Sequence, residues 1–585
     1  MLKLLKHLKG RDWALAALAF VFVLLSVYCN LTMPDYMSEI TTLVQTEGSA
    51  MADILTAGGK MLLCALGSLL AAMATNVCAA RISSNFSATL RGQIFDKVQS
   101  FSMEEIGRFS TASLITRSTN DVMQVQMMIV MGLEVLMRAP VTAVWAICKI
   151  AGKEWEWTVS TVIAVIILFV IVAICMVAAL PKFRMTQKLT DNLNRVTREN
   201  LNGLQVIRAY NAEKYQEEKF ESANEDLKSN QLFATRVLAI LNPGIQLVMN
   251  GLSLAVYWIG AYLIESADMT AKLPLFSEMV VFSQYAMQVV MAFMMLVMIF
   301  VLLPRAAVSA KRINEVLDTE ATIQDGTKEN PAPGKEGEIE FRHVSFRYPD
   351  AEKPVLEDIT FTAHKGETVA FIGATGCGKS TVVNLIPRFY DATEGEVLVD
   401  GVNVKEYTQR ALRNRIGYVS QKAVLFSGTI TSNVAYGSNG KGEFSQSDVE
   451  RAVHTAQADE FVESGRDGYD GYVAQGGSNF SGGQKQRLSI ARAVCRDPEI
   501  FIFDDSFSAL DYKTDRVLRK KLDEECGDST RLIVAQRIGT IRDADQIIVL
   551  HEGRIAGKGT HSELMENCEE YRQIAYSQLS KEELA

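Results

Sequence analysis

The chain has 585 residues, 48% hydrophobic and 22% charged, with a formal net charge of −9 at pH 7. That length is too great for one hydrophobic core, so several domains are expected. The acidic balance removes any global electrostatic case for nucleic acid as a partner, and nine cysteines without a Cys-x-x-Cys pair fit a reduced cytosolic and membrane setting better than a disulfide framework or a zinc site.

The chain opens with Lys3, Lys6, Lys9 and Arg11 and then runs apolar from Trp13 to Leu31. A secretory signal peptide is the rival to a first membrane span, but the run is long, no small-residue cleavage site is clear, and further spans follow. Five more segments approach the ~20 apolar residues that a helix needs to cross a bilayer. They lie at Met61–Ala80, Met127–Lys149, Thr158–Leu180, Val237–Ile264 and Met279–Leu303. Interior Pro140 and Pro243-Gly244 are tolerated in such helices.

The Lys and Arg distribution sets the orientation. Leu31–Gly59 has neither residue and is expected outside, whereas Arg81–Asn120 carries Arg81, Arg91, Lys97, Arg108 and Arg117 and is expected inside. Pro181–Arg236 is likewise rich in both, and Arg305, Lys311 and Arg312 follow the last span, so the reading is multi-pass with both termini cytosolic. The two inside segments are about 40 to 55 residues long, well beyond ordinary helix–helix connections. In the second, Phe220, Ala223 and Leu227 fall at i, i+3 and i+7 on one helix face. Both segments are expected to be membrane helices running on into the cytosol, each with a short tip that docks onto another domain.

Within the membrane, Glu134 and Arg138 stand at i, i+4 and are expected to pair on one face. The sixth span carries Met279, Met287, Met291, Met294, Met295 and Met298 with Gln284, Gln288 and Phe293 among them. Such a face suits varied apolar ligands, and it suits plain helix packing equally well.

Between Leu317 and Glu340 the chain turns polar and gains Gly326, Pro331, Pro333, Gly334 and Gly337, the signature of a linker. The expected division is a transmembrane domain over 1–318, a linker over 319–338 and a nucleotide-binding domain over 339–585. The fold class is an all-α six-helix transmembrane domain followed by an α/β P-loop nucleotide-binding domain.

The chemistry centres on Gly373-Ala374-Thr375-Gly376-Cys377-Gly378-Lys379-Ser380, which fits the phosphate-loop pattern. Thr368–Ile372 before it reads as a buried strand, and Thr381–Ile386 after it as a helix that stops near Pro387. Glycines let the backbone wrap closely around phosphates with N–H groups pointing inward. In this pattern Lys379 neutralises the β and γ phosphates and Ser380 binds Mg²⁺. Other motifs fall in order around the loop. Tyr348 precedes the core strands and is placed to stack on an adenine; Gln421 follows the β-type run Gly417–Ser420. Phe480-Ser481-Gly482-Gly483-Gln484 opens a helix reaching about Val494. The strand Ile500–Phe503 ends in Asp504-Asp505, Ser508–Asp511 makes a turn, and Leu532–Ala535 ends in Gln536-Arg537.

This ordered set resembles an ATP-binding cassette exporter half-transporter over essentially the whole length. The resemblance implies that two halves pair, with ATP and Mg²⁺ held between one half's phosphate loop and the other half's signature motif. By similarity, Ser481, Gly482, Gly483 and Gln484 act on the partner's ATP. Asp504 is similar to the Walker B aspartate that holds Mg²⁺ through water, and the same resemblance implies that Gln421 contacts Mg²⁺ and senses the membrane domain. Two departures stand out. The family usually has Glu where this chain has Asp505, one methylene shorter. It usually has His where this chain has Gln536, which hydrogen-bonds but cannot become cationic. None of the six histidines lies between His454 and His551, so no shift of alignment supplies one.

The combination resembles the degenerate-site subunit of a heterodimeric multidrug-type exporter in the cell membrane. The expected activity is ATP-driven export of a hydrophobic or amphipathic, drug- or lipid-like substrate, with membrane lipids around it. Two alternatives stand beside it: a homodimeric exporter of a peptide, lipid or other metabolite, and an ATP-gated regulator or channel. With no peptidase-like extension before the first span, a peptide-processing exporter is disfavoured.

Overall fold

The computed structural model describes residues 2–46, 49–349 and 351–578, without the side chains of residues 2, 270, 298–302, 304 and 305. The Met298 and Arg305 side chains singled out above therefore lie outside the described set, as do residues 579–585. The chain divides into two compact units. One comprises Met1–Val98 and Ala112–Thr319; the other comprises Gln99–Thr111 and Glu320–Ala585.

In the first unit, six described helices are long and apolar enough to cross a membrane, so the chain is a multi-pass membrane protein. They are Gly10–Gln45, Met51–Gln99, Thr111–Ile150, Trp155–Asn202, Glu213–Ser266 and Ala271–Val297. The last belongs to a longer helix, Met269–Asp318. Pro34, Pro140 and Pro181 lie inside helices, where neighbouring helices can re-satisfy the freed backbone groups. Val23, Val27 and Leu31 of the first span pack with Ala146, Trp157, Val256, Phe282 and Val289 in one buried cluster. At that end polar groups tie the first, third and sixth spans. Lys149 Nζ donates to Asp35 Oδ2 at 2.6 Å, Tyr285 Oη donates to Asp35 Oδ1 at 2.6 Å, and the Thr42 and Ser277 hydroxyls stand 3.0 Å apart.

The third span contains two π-helical turns, Arg117–Asp121 and Gly132–Leu136. The second corrects an expectation: among the described residues no ion pair joins Glu134 to Arg138. A π turn closes i→i+5 bonds, so an offset of four no longer lays one side chain over the other. In the second long segment, Trp155–Asn202 and Glu213–Ala239 run past one another, with the short helix Leu204–Ala209 at the tip. Asn230 Nδ2 donates to Lys182 O and Thr186 Oγ1, both at 2.9 Å. Ala223 is buried there as the periodicity predicts, while Phe220 remains 36% exposed.

The second unit is built on two main sheets, with a two-stranded antiparallel ribbon of β7 (Gly428–Thr429) and β8 (Tyr472–Val473) beside them. An antiparallel sheet has the order β2-β1-β4-β5, made of β1 (Ile339–Phe346), β2 (Leu356–Ala363), β4 (Glu394–Val399) and β5 (Val402–Asn403). A six-stranded sheet has the order β12-β11-β3-β10-β9-β6. Its strands are β3 (Thr368–Gly373), β6 (Ile416–Val419), β9 (Ile500–Asp504), β10 (Thr530–Val534), β11 (Gln546–His551) and β12 (Arg554–Gly559). All pairs in it are parallel except β11–β12. The central strands are continuous apolar runs because helices and loops cover both faces. The site lies at the C-terminal ends of β3, β9 and β10, where a parallel sheet offers a crevice.

Candidate functional site

The phosphate loop leaves β3 at Gly373 and enters the helix Lys379–Leu385. At two positions both the backbone angle and the surrounding space call for glycine. Gly373 has φ +153° and a Cβ there would meet Leu550 O at 2.1 Å; Gly378 has φ +100° and a Cβ would meet Leu356 Cδ2 at 2.6 Å. Lys379 is 9% exposed, and its Nζ donates to Gly373 O and Ala374 O, both at 2.8 Å, with Cys377 Sγ 3.7 Å away. Among the described residues, the backbone N–H groups of Thr375, Gly376, Gly378 and Lys379 donate to no protein group. A loop with a buried ammonium and uncommitted N–H groups is a fitting cradle for polyphosphate.

Three strand ends then converge. Ser380 Oγ donates to Asp504 Oδ1 at 2.7 Å, joining the loop's helix to β9. Asp505 is held in the left-handed region at φ +49°, with its N–H on Val534 O at 3.0 Å. Its Oδ2 accepts from Gln536 Nε2 at 2.7 Å and from Gln421 Nε2 at 3.3 Å. Burial raises the Asp504 carboxyl above the ordinary range; the Ser380 bond opposes this and the neighbouring Asp505 charge adds to it. Burial also raises Asp505, against the bonds from Gln421, Ser508 and Gln536 and the Lys379 charge. Tyr348 stands edge-on to Phe346 and Tyr390, with ring centroids at 4.8 and 5.3 Å, and its hydroxyl lies 3.2 Å from Thr381 Oγ1.

The structure thus brings Tyr348, Gly373–Thr381, Gln421, Asp504, Asp505 and Gln536 into one neighbourhood. It does not bring in the Ser481 motif. Ser481 caps the helix Gly482–Cys495 in a reciprocal box: its N–H donates to Gln484 Oε1 at 2.9 Å and its hydroxyl accepts from Gln484 N at 3.3 Å. Among the described residues, no hydrogen bond joins Ser481, Gly482, Gly483 or Gln484 to the chain's own phosphate loop. Ser481 and Gly482 are exposed, leaving a capped helix N-terminus facing solvent.

Sequence reasoning missed Gln578. Its side chain donates to Gln536 O at 2.7 Å and accepts from Ile538 N at 2.9 Å, so it braces the segment that carries Gln536. No motif marks it; only the fold brings residue 578 back to the strand end. Among the described residues, no group of three or more His, Cys, Asp or Glu could hold a metal by itself. Mg²⁺ needs no such cage, since it is held by one or two protein oxygens with waters and phosphates. Ser380 and Asp504, linked by a hydrogen bond, fit that donor set.

A six-span helical unit joined to an α/β unit with a phosphate loop, and with an exposed capped motif apart from that loop, defines an ATP-driven membrane transporter half. The chain belongs to the ABC transporter family, as an exporter half-transporter: residues 16–293 match the ABC transporter transmembrane region and residues 356–508 the ABC transporter domain. It is 40% identical over 574 residues to an uncharacterized ABC transporter ATP-binding protein of Mycobacterium tuberculosis, covering 96% of each chain. It is 36% identical to YfiB of Bacillus subtilis, also an uncharacterized ABC transporter ATP-binding protein, covering 100% of this chain and 99% of that one. It is 32% identical to the ATP-dependent lipid A-core flippase of Pseudomonas aeruginosa, covering 84% of this chain and 79% of the flippase. A bacterial Atm1-family ABC exporter solved with ATP bound shares the fold, with a TM-score of 0.79, 24% identity and 98% coverage of both chains. The family's ATPase domain implies ATP binding, and ABC exporters work as dimers.

Proposed function

We propose that this chain is one half of a heterodimeric exporter that uses ATP to move a hydrophobic or amphipathic, drug- or lipid-like substrate across the plasma membrane, with both termini cytosolic. Its domains run 1–318 for the membrane part and 339–585 for the nucleotide part, joined by a linker over 319–338.

In this reading Lys379 and the N–H groups of Thr375, Gly376, Gly378 and Lys379 receive the phosphates of ATP. Ala374 and Cys377 shape the loop, Thr381 extends its reach, and Tyr348 offers a ring for the adenine. Ser380 and, through water, Asp504 hold Mg²⁺, with Gln421 beside them. When bound, ATP supplies the phosphoryl bond whose cleavage drives transport. Asp505 orients water as the family's Glu does, but from a shorter side chain whose one oxygen already carries two amides. Gln536 offers a neutral amide where a cation would stabilise developing charge. Both features favour a slow site. Ser481 and the N–H groups of Gly482 and Gly483 complete a fast site on the partner.

The observation that carries the reading is the coexistence of the Asp505–Gln536 pair with an intact Ser481–Gln484 cap. For the substrate class, support comes from an open apolar face of the third span, formed by Pro140, Val141, Val144, Trp145 and Cys148. The name of the Pseudomonas relative adds support for a lipid-like cargo. The test is ATPase activity of the purified chain alone and with a half-transporter that carries Glu and His at the matching positions. Slow turnover alone and fast turnover together are expected; fast turnover by the isolated chain overturns the heterodimer reading.

A further inference from the structure

The chain passes between its two units three times, at 98/99, 111/112 and 319/320. The excursion Gln99–Thr111 belongs with the nucleotide unit and contains the helix Met103–Phe109. Ser102 caps that helix: its hydroxyl accepts from Glu104 N at 3.2 Å, and Glu105 Oε2 accepts from Ser102 N at 2.7 Å and from its hydroxyl at 2.6 Å. A capping box uses one carboxylate oxygen. Here the other is used as well: Glu105 Oε1 accepts from Thr322 N at 3.0 Å, and the Ser102 and Thr322 hydroxyls stand 3.1 Å apart. Glu105 is only 3% exposed. Burial acts to raise its carboxyl, yet the bonds from Ser102 and Thr322 hold it below the ordinary glutamate range.

The contacts continue from Thr322 toward the phosphate loop. Gln324 O, two residues on, accepts from Arg388 Nη1 at 2.9 Å. Arg388 is 4% exposed, sits at φ +54°, and donates its N–H to Leu385 O at 3.2 Å, directly after the phosphate-loop helix Lys379–Leu385. Asp391 fixes the guanidinium, with Arg388 Nε to Oδ1 at 2.8 Å. The segment 322–324 therefore lies between two buried charged groups, one fastened to the phosphate-loop helix and the other part of the Met103–Phe109 helix.

We propose that Glu105 is a positioning residue for energy coupling. Through Thr322 and the Gln324–Arg388 bond it straps the helix Met103–Phe109 to the phosphate-loop helix, so that nucleotide held at 373–381 changes the stability of residues 103–109. The proposal rests on the reading that the loop binds ATP. A physical warrant for coupling requires an element whose equilibrium both ends bias. Thr322→Pro removes the one N–H that reaches Glu105 Oε1 and leaves the Ser102 cap in place. Ser102→Ala weakens the cap and leaves that N–H.

The experiment is hydrogen–deuterium exchange on the full-length protein in nanodiscs, with and without ATP–Mg²⁺, for wild type, Thr322→Pro, Glu105→Gln and Ser102→Ala. Slowed exchange at 373–381 is expected in all four. In wild type and Ser102→Ala, nucleotide is expected to change exchange at 103–109 by about fivefold or more, the low end of measured couplings. In Thr322→Pro and Glu105→Gln that second response is lost. A structural role alone would raise exchange at 103–109 in every variant without removing the nucleotide response. Persistence of the response in both strap variants overturns the proposal, as does its absence from wild type while 373–381 is protected. Absence of protection at 373–381 in wild type removes the ATP-binding reading, and the proposal with it.

Discussion

Gln536 Nε2 donates to Asp505 Oδ2 at 2.7 Å, and Gln421 Nε2 approaches the same oxygen at 3.3 Å. One carboxylate oxygen thus receives both neighbouring amides, and the carboxylate is drawn onto the strand ends. Asp505→Glu lengthens the side chain, and Gln536→His replaces one anchoring amide with a titratable ring. A misplacement of about 1 Å can cost 10²-fold in rate. The double variant is therefore expected to raise the turnover of this site by roughly tenfold to a hundredfold, as read by single-turnover ATP hydrolysis. Because the two residues touch, the single variants should sum to less than the double. A double variant no faster than wild type would show that the substitutions do not set the rate.

Asp504 and Asp505 are adjacent, buried acids whose carboxyls are both raised above the ordinary range by desolvation. A raised folded-state pKa means that the fold favours the protonated form, so this contribution to stability is present at low pH and lost as pH rises through the folded value. At neutral pH each ionised acid is therefore a cost in the nucleotide-free protein. Asp504→Asn should raise the melting temperature without nucleotide at pH 7, with the gain shrinking at acidic pH. The same variant should lose the extra stabilisation that ATP–Mg²⁺ gives wild type. Thermal unfolding in nanodiscs with and without ATP–Mg²⁺ reads both; a lowered melting temperature without nucleotide would contradict the argument.

The loop and the exposed cap are separable by mutation. Lys379→Ala removes the ammonium held by Gly373 O and Ala374 O and should weaken binding of a fluorescent ATP analogue to this chain at least tenfold. Ser481→Arg puts bulk and charge at the exposed cap, which makes no hydrogen bond to the chain's own loop among the described residues. It should leave this chain's own binding intact while lowering the hydrolysis rate of the assembled pair. If Ser481→Arg weakens binding by the isolated chain as much as Lys379→Ala does, the cap belongs to the same site.

Most of the site was legible because its parts are local patterns. Glycines at fixed offsets before Lys379-Ser380, an apolar run ending in two acids, and Ser481 followed three residues later by Gln484 all carry their geometry in their spacing. The six spans were legible from hydropathy alone, since in a bilayer backbone groups must be satisfied within the helix. What escaped depended on turn type or on residues far apart in sequence. The pairing of Glu134 with Arg138 assumed an α-helical turn where the chain forms a π turn. The Glu105–Thr322 and Gln536–Gln578 bonds span 217 and 42 positions, and no periodicity announces them.

The polar cluster around Asp35 bears on how the membrane unit opens. By the Lys and Arg distribution this end is expected outside, and export requires the outer end to part. The Lys149–Asp35 pair is 36% and 41% exposed, so its removal should cost only about 0.2–1 kcal/mol. Lys149→Ala is expected to leave transport nearly unchanged. A covalent tie across the same end should behave differently. The Thr42 and Ser277 hydroxyls are 3.0 Å apart, which places cysteines at these positions within reach of a disulfide. In the Thr42→Cys/Ser277→Cys variant, oxidation should abolish uptake of a fluorescent amphiphile into inside-out vesicles, and reduction should restore it, with ATP binding unaffected throughout. Unimpaired transport by the fully cross-linked protein would mean that the first and sixth spans stay together at this end through the cycle, so that the opening lies between other helices.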